Sequence, residues 1–150
     1  MKIYIGTDHA GFELKEKLKI FLGELGYEIM DTGAYSYNPD DDYPDFIYSV
    51  AEQISKDPEN LKGIIFGASG QGEATLANRF KNVRAAVYYG GNDEIIKLSR
   101  EHNNANILSL GAGFINEEDA KKAVKLWLDT PFSGEERHIR RIKKIDSQLT

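Results

Sequence analysis

Short apolar runs alternate with segments of helical periodicity along this chain, and this alternation limits its fold more than any other feature. Lys2–Gly6 is typical of a buried strand, and Phe12–Leu25 carries apolar residues on one helical face. The same pair of patterns recurs four more times, and the chain then continues into a basic amphipathic segment, Ser133 to about Ile145. Successive βα units predict a parallel sheet with helices on both faces. We therefore expect an α/β, doubly wound five-stranded parallel sheet, Rossmann-like with strand order 2-1-3-4-5, and a C-terminal helix.

Length and composition exclude several function classes. The 150 residues predict a single domain over residues 1–150. The net charge of −5 disfavours a nucleic-acid surface, and the absence of cysteine excludes disulfides and thiolate metal sites. No apolar stretch approaches the roughly 20 residues of a membrane span. No signal peptide is expected before the first strand, so the predicted location is the cytoplasm.

A glycine-rich turn is predicted where the third strand ends. Gly67-Ala68-Ser69-Gly70-Gln71-Gly72-Glu73 follows the apolar run Gly63–Phe66 and precedes a helical core predicted at Ala74–Phe80. Backbone N–H groups of such a turn suit an oxyanion or a phosphate. Because a carboxylate would repel a bound anion, we interpret Glu73 as a base beside a site for developing negative charge. The alternative is that Glu73 only stabilises the helix start and Ser69 only shapes the turn.

Other polar residues are predicted at the ends of strands and helices. Asp8 and His9 follow the first strand, where ligands of such sheets bind, although Asp8 could simply cap the next helix. His102 lies where the fourth helix ends, and there a cationic histidine is favoured by the helix dipole alone. The start of the fifth strand is at the opposite end of the sheet from the predicted site. His102 therefore fits a site within one chain poorly, unless the following loop turns inward or a partner chain completes the site.

The basic tail offers a second candidate for anion binding. Arg137 and Arg141 are one helical turn apart, which would make them a clamp for a phosphate. A solvated basic face that pairs with Glu135 and Glu136 explains the same pattern. The residues alone leave both interpretations open.

Seven motifs, spread over nearly the whole chain, occur in the same order in one known protein family. No single motif would be specific enough to indicate that family. They are Gly6-Thr7-Asp8-His9-Ala10-Gly11-Phe12, Asp31-Thr32-Gly33, Asp42-Tyr43-Pro44, the glycine turn with Ala77-Asn78-Arg79-Phe80, Val83-Arg84-Ala85, Leu98-Ser99-Arg100-Glu101-His102-Asn103-Asn104-Ala105-Asn106, and Arg137-His138 with Arg141. Together they resemble type B ribose-5-phosphate isomerases. That family also contains galactose-6-phosphate and allose-6-phosphate isomerases.

The resemblance implies an aldose–ketose isomerase without a metal or organic cofactor, most simply one that interconverts ribose 5-phosphate and ribulose 5-phosphate through an enediolate. In many members a cysteine at the position of Gly67 removes the C2 proton. Another branch uses a glutamate at the position of Glu73, which is therefore assigned as the base. The other catalytic positions that match the family are Ser69 in the turn, His102 for ring opening and Asp8 assisting at the hydroxyls.

The substrate-binding residues are also implied by the resemblance. They are His9, Arg137 and Arg141 for the phosphate, Tyr43 and Asn103 for the sugar, and the backbone of Gly70, Gln71 and Gly72 for the enediolate oxygen. His138 is a further substrate-binding position. Sites of this family lie between two subunits, so a homodimer with shared sites is implied, and a tetramer is open. No nucleic-acid or membrane partner is expected.

One departure from the family leaves alternatives open. Many members carry a phosphate-binding arginine where this chain has Gly113. Loss of one charge-assisted contact costs on the order of 1.5–3 kcal/mol unless another group replaces it. A six-carbon sugar phosphate of the allose- or galactose-6-phosphate type is therefore an alternative substrate. A non-catalytic sugar-phosphate sensor and a flavodoxin-like nucleotide binder are alternatives of another class.

Overall fold

The computed structural model describes residues 1–148, which form five strands and six helices. The strands are β1 (Lys2–Thr7), β2 (Glu28–Asp31), β3 (Leu61–Gly67), β4 (Ala85–Tyr88) and β5 (Ile107–Gly111). The helices are α1 (Phe12–Glu24), α2 (Pro44–Lys56), α3 (Gln71–Ala77), α4 (Glu94–Glu101), α5 (Glu117–Asp129) and α6 (Glu136–Ser147). A single 3₁₀ turn, His9–Gly11, joins β1 to α1. None of these helices is both long enough and apolar enough to cross a membrane.

The five strands form one parallel sheet, which confirms the predicted fold class. The observed order is β2-β1-β3-β5-β4, so the predicted order 2-1-3-4-5 is wrong for its last two strands. Burial gives the physical reason. Every residue of β5 is buried, which suits a strand with a neighbour on each side, whereas three of the four residues of β4 are only half-buried. The shorter, less buried strand therefore forms the edge of the sheet.

Two apolar layers cover the two faces of the sheet. Side chains of a strand alternate between faces, and β3 shows this directly. Ile64 and Phe66 pack with residues of α1, α4 and α5, whereas Ile65 packs with residues of α2 and α3. Trp127 of α5 is the largest fully buried side chain. The helices thus bury both faces and leave the ends of the strands for polar groups.

A fully buried lysine ties α1 to the end of β2. Lys15 Nζ donates to both carboxylate oxygens of Asp31 at 2.8 Å and to the carbonyl of Ala34 at 2.7 Å. Its side chain has no exposed surface, and Glu16 lies 3.2 Å away as a second acid. A buried ammonium is stable only where its charge is paired and its donors are satisfied. This network fixes the start of the segment after β2.

We predict that Asp31→Asn lowers the free energy of unfolding by about 3–5 kcal/mol, because it leaves the Lys15 ammonium buried without its main counter-charge. The measurement is urea denaturation at one fixed protein concentration. Glu13→Gln is the matched control, since it removes an acid from the exposed Lys17–Glu13 pair and should cost less than about 1 kcal/mol. Equal effects of the two substitutions would contradict the prediction.

Candidate active site

The carboxylate of Glu73 packs directly on the backbone of Gly67. A Cβ atom placed on Gly67 would overlap the carboxylate group of Glu73, so any larger residue would displace it. Gly67 is the last residue of β3, and Glu73 is the third residue of α3. Only 4% of Glu73 is exposed. The missing side chain at residue 67 therefore creates the space that the carboxylate fills.

The surroundings of Glu73 make its carboxyl a stronger base than an exposed glutamate. Burial is the main cause and raises its pKa above the ordinary value of 4.5. The negative charge of Asp8 raises the pKa further, whereas a hydrogen bond from the backbone N–H of Glu73 itself partly opposes the shift. A raised pKa brings the group closer to the range in which it can both take up and release a proton.

The glycine turn begins its helix earlier than the sequence pattern predicts. We expected the helical core at Ala74–Phe80, but α3 covers Gln71–Ala77. Gly70 has a φ of +78°, a conformation that favours glycine, and the helix starts directly after it. At the other end, the side chain of Asn78 accepts a hydrogen bond from the N–H of Ala85 and donates one to its carbonyl. Glu73 is thus inside the first helical turn rather than before it.

Neighbouring side chains hold the turn in place. Ser69 Oγ accepts a hydrogen bond from the N–H of Gln71 at 3.3 Å, which leaves its own proton free for another acceptor. Ser109 in β5 donates to the carbonyl of Gly70 at 2.7 Å. The ring of Tyr43 lies against Gly72, where a Cβ would approach the Tyr43 hydroxyl to 2.5 Å. The sequence analysis did not single out Ser109, since an isolated serine in an apolar strand carries no local signal.

Asp8 and His9 follow the C-terminal end of β1, at the same end of the sheet as the glycine turn. Asp8 is buried and its Oδ1 accepts from the N–H of Ala10, so it does cap the 3₁₀ turn. The capping interpretation and a place in the site are therefore compatible. Asp8 also acts electrostatically on Glu73, as its effect on the pKa of that residue shows. The structure brings together Asp8, His9, Tyr43, Ser69, Gly70, Gln71, Gly72 and Glu73.

Asp41 joins this group and was missed by the sequence analysis. It lies in the segment Gly33–Asp42, whose polar composition is typical of an exposed loop, but Gly33 and Ala34 are buried and only 8% of the Asp41 side chain is exposed. Asp41 Oδ1 lies 2.7 Å from His9 Nδ1 and also accepts from the backbone N–H of His9 at 2.9 Å. A contact across 32 residues leaves no spacing signal in the sequence. The run of three aspartates was the only hint.

Three donors at this edge are close enough to be considered for a cation. Within residues 1–148, Asp8, His9 and Asp41 are the one set of three or more such side chains whose ligand atoms lie within 4.8 Å of one another. The approach of His9 to Asp41 is accounted for by their hydrogen bond. The approach of Asp8 is accounted for by its capping bond to Ala10. These two hydrogen bonds thus explain the geometry of the set.

A second group of predicted site residues lies elsewhere. The rings of His102 and His138 stack with centroids 4.2 Å apart and an interplanar angle of 17°. Both rings line a cavity of about 550 Å³ together with Asn103, Arg141 and apolar side chains of α6. His138 is buried, and its Nε2 has no hydrogen-bond partner in the described part of the chain. Burial, and then the neighbouring His102, lower the pKa of His138.

The two predicted arginines do not share one environment. Arg141 lines this cavity, whereas Arg137 is half-exposed and its Nε donates to Glu135 at 3.1 Å. The alternative of a solvated basic face thus applies to Arg137 in the single chain. The bond to Glu135 uses one of the five guanidinium N–H donors, so the terminal nitrogens of Arg137 can still bind a phosphate.

The two groups lie at opposite ends of the sheet. Glu73 and Asp8 follow the C-terminal ends of β3 and β1, whereas the cavity is lined by Val83, Arg84 and Ala85 at the start of β4. His102 and Asn103 precede β5. Because all five strands are parallel, the two groups lie at opposite ends of the strands. The expectation that His102 fits a site within one chain poorly is confirmed.

The raised pKa of Glu73 predicts a pH-dependent cost in stability. The native state keeps Glu73 protonated over a wider pH range than the unfolded chain does, so wild-type stability falls as the pH rises from about 4.5 through the raised pKa. Glu73→Gln removes this fall. We expect the free energy of unfolding of the variant, minus that of wild type, to increase across this window and then to level off.

The measurement is urea denaturation at a series of pH values. Glu118→Gln, at an exposed position of α5, is the matched control for the loss of one carboxylate, and its difference from wild type should not rise in this way. If the free energy of unfolding of Glu73→Gln minus that of wild type stays constant or falls as the pH rises, the pKa of Glu73 is not raised in the native state.

Comparison with known proteins identifies the family of the chain. A family model described as Ribose/Galactose Isomerase matches residues 3–145. Ribose-5-phosphate isomerase B of Mycolicibacterium paratuberculosis is 41% identical over 142 residues, which cover 95% of this chain and 87% of that protein. Ribose-5-phosphate isomerase B of Mycoplasma genitalium, solved with bound ribulose-5-phosphate, matches with a TM-score of 0.93 at 34% identity, over 98% of this chain and 95% of that one. The corresponding enzyme of Thermotoga maritima matches with a TM-score of 0.89 at 43% identity, over 97% of each chain. The chain belongs to the ribose/galactose isomerase family and is an isomerase of sugar phosphates.

Proposed function

We propose that this protein interconverts ribose 5-phosphate and ribulose 5-phosphate through an enediolate, with Glu73 as the base. The observation that carries the proposal is the buried carboxylate of Glu73, seated on Gly67 beside the first turn of α3. The names of its relatives, which are ribose-5-phosphate isomerases B, support the choice of substrate pair. The reaction removes the proton on C2 of the aldose and returns it to C1 to give the ketose.

The geometry suits each part of this proton transfer. Burial raises the pKa of Glu73, so the carboxylate that accepts the C2 proton becomes a carboxylic acid that can return it to C1. Negative charge meanwhile develops on the substrate oxygen. The first N–H groups of a helix have no acceptor within the helix. The N–H of Gln71 donates to Ser69 Oγ, so the N–H groups of Gly70 and Gly72 are the ones that can serve this oxygen. Ser69 can add a hydroxyl donor, because its oxygen already accepts from Gln71.

The remaining catalytic step is the opening of the sugar ring. We assign it to His102, with Asp8 at the hydroxyls. Since these two residues lie at opposite edges of one sheet, the proposal requires that His102, Asn103, Arg137, His138 and Arg141 of one subunit complete the Glu73 site of another. The cavity beside His102 is open to such a partner, and its lining combines basic and apolar side chains. A homodimer with two shared sites is the smallest assembly that satisfies this requirement.

Gly113 favours one further candidate substrate. Its position carries no side chain to bind a phosphate, whereas many members of the family have an arginine there. A six-carbon sugar phosphate would place its phosphate further from the reacting carbon and need not use this position. A panel of pentose and hexose phosphates, compared by kcat/KM, decides between the two. A higher kcat/KM for a hexose phosphate than for ribose 5-phosphate would refute ribose 5-phosphate as the substrate, but not the type of reaction.

We predict that Glu73→Gln lowers kcat for ribose 5-phosphate by about 10²–10⁴-fold, the usual contribution of a general base. Binding should change little, because the amide keeps the shape of the side chain and the phosphate contacts lie elsewhere. The measurements are steady-state kinetics and calorimetric binding of a non-isomerisable sugar phosphate. Glu118→Gln should leave both unchanged. Retained turnover in Glu73→Gln would refute the base assignment, whereas binding without turnover in the wild-type protein would favour the sensor alternative.

The shared site predicts complementation between two inactive variants. Glu73→Gln and His102→Asn homodimers should each be inactive. A mixed dimer of the two has one site with both substitutions and one site with neither. Unfolding and refolding an equimolar mixture should thus restore about one quarter of wild-type activity, since half of the dimers are mixed. No recovery, with dimers present by light scattering, would show that Glu73 and His102 do not act in a shared site.

A further inference from the structure

The pairing of His9 with Asp41 goes beyond the catalytic assignments. Asp41 Oδ1 receives two hydrogen bonds from the same residue, one from the His9 backbone N–H at 2.9 Å and one from its Nδ1 at 2.7 Å. These two contacts fix both the backbone and the ring of His9. A third contact, the edge of the ring against Tyr37 with centroids 6.2 Å apart, limits its rotation further. The imidazole is thus held in one orientation.

The buried state of Asp41 favours the charged form of His9. Its side chain is only 8% exposed, and its second oxygen, Oδ2, is buried without a hydrogen-bond partner in residues 1–148. A buried carboxylate is costly unless a positive charge compensates it, and among the described residues His9 is its one ion-pair partner. The other groups that face His9 are Asp8, Asp40 and the phenol of Tyr37, none of which is positive.

The same surroundings show why a neutral His9 would not bind a phosphate. Asp8, Asp40 and Asp41 all lie near the ring, and together they would repel an anion. About a third of the His9 side chain is exposed, and its Nε2 is not engaged by any residue of the described chain. The hydrogen bond to Asp41 is the main cause that raises the pKa of His9 above 6.5; burial opposes it, and the negative charges of Asp8, Asp41 and Asp40 add to the rise. The imidazolium thus presents one N–H donor to solvent in otherwise acidic surroundings.

We propose that Asp41 is a positioning residue that holds the His9 ring and keeps it cationic, so that Nε2–H binds the phosphate of the sugar substrate. This inference rests on the proposed function for the identity of the ligand, but not for the behaviour of His9. It has a direct consequence for pH dependence. Binding of the phosphate group should persist to higher pH than an ordinary histidine would allow, and removal of the Asp41 charge should shift the loss of binding to lower pH.

The first measurement is the titration of His9 by NMR. The chain has only three histidines, so a His9→Gln variant identifies the resonance of His9. Asp41→Asn should lower the pKa of His9, whereas Asp40→Asn, which removes an exposed carboxylate of the same loop, should change it much less. Equal shifts in the two variants, or none in Asp41→Asn, would overturn the inference.

The second measurement is the affinity for inorganic sulfate, a dianion whose own charge does not change between about pH 6 and about pH 8. Asp41→Asn should bind at least as tightly as wild type near the lower pH, and severalfold more weakly near the upper one, because the lowered pKa leaves less of His9 protonated there. The other two histidines, His102 and His138, are the same in both proteins. A loss of affinity that is equal at both pH values would mean that Asp41 has only a structural role.

A second variant covers the case in which Asp41→Asn fails to fold. His9→Gln keeps Asp41 and removes the titrating ring, so its sulfate affinity should lose the part of the pH dependence that depends on His9. An unchanged pH dependence in His9→Gln would overturn the inference. None of these readouts requires turnover. A protein that does not isomerise ribose 5-phosphate would therefore refute the proposed function while the titrations still decide the role of Asp41.

Discussion

The close approach of the Glu73 carboxylate to the backbone of Gly67 is the constraint on which the rest of the site depends. A side chain at residue 67 and this position of Glu73 exclude each other sterically. The contact also requires that α3 begin directly after Gly70, whose positive φ turns the chain from β3 into the helix. Ser109 from β5 and Tyr43 from the start of α2 then hold the turn on its other sides. A buried acid is costly in stability, and the proposed role of Glu73 as the base would give this cost a function.

The parallel sheet explains why the predicted site residues fall into two groups. Ligands of such sheets bind at the C-terminal ends of the strands, where Asp8, His9 and Glu73 lie. His102 precedes β5 and lies at the other edge, where it stacks on His138 beside a cavity. We infer that a second copy of the chain brings the two edges together. The incompleteness of each group within one chain is what favours an assembly with shared sites.

Much of the fold could be predicted because each βα unit carries its own local pattern. The order of β4 and β5 could not, since right-handed crossovers allow either strand to lie next to β3, and burial across the whole sheet decides the matter. The position of Glu73 followed from the glycine turn and the resemblance together. Asp41 could not be found in this way, because its partner His9 is 32 residues away and an acidic loop is usually solvated. Long-range contacts of single polar residues leave no periodic signal.

The most direct test of the central claim follows the substrate proton rather than the rate. Ribose 5-phosphate is incubated with the enzyme in D₂O, and deuterium at C2 of the aldose and C1 of the ketose is followed by NMR. Proton transfer through Glu73 predicts that the wild-type enzyme either moves the C2 proton directly to C1 or replaces it by deuterium from the solvent. Both the direct transfer and the exchange should be lost in Glu73→Gln. Transfer or exchange at the wild-type rate in Glu73→Gln would contradict the account.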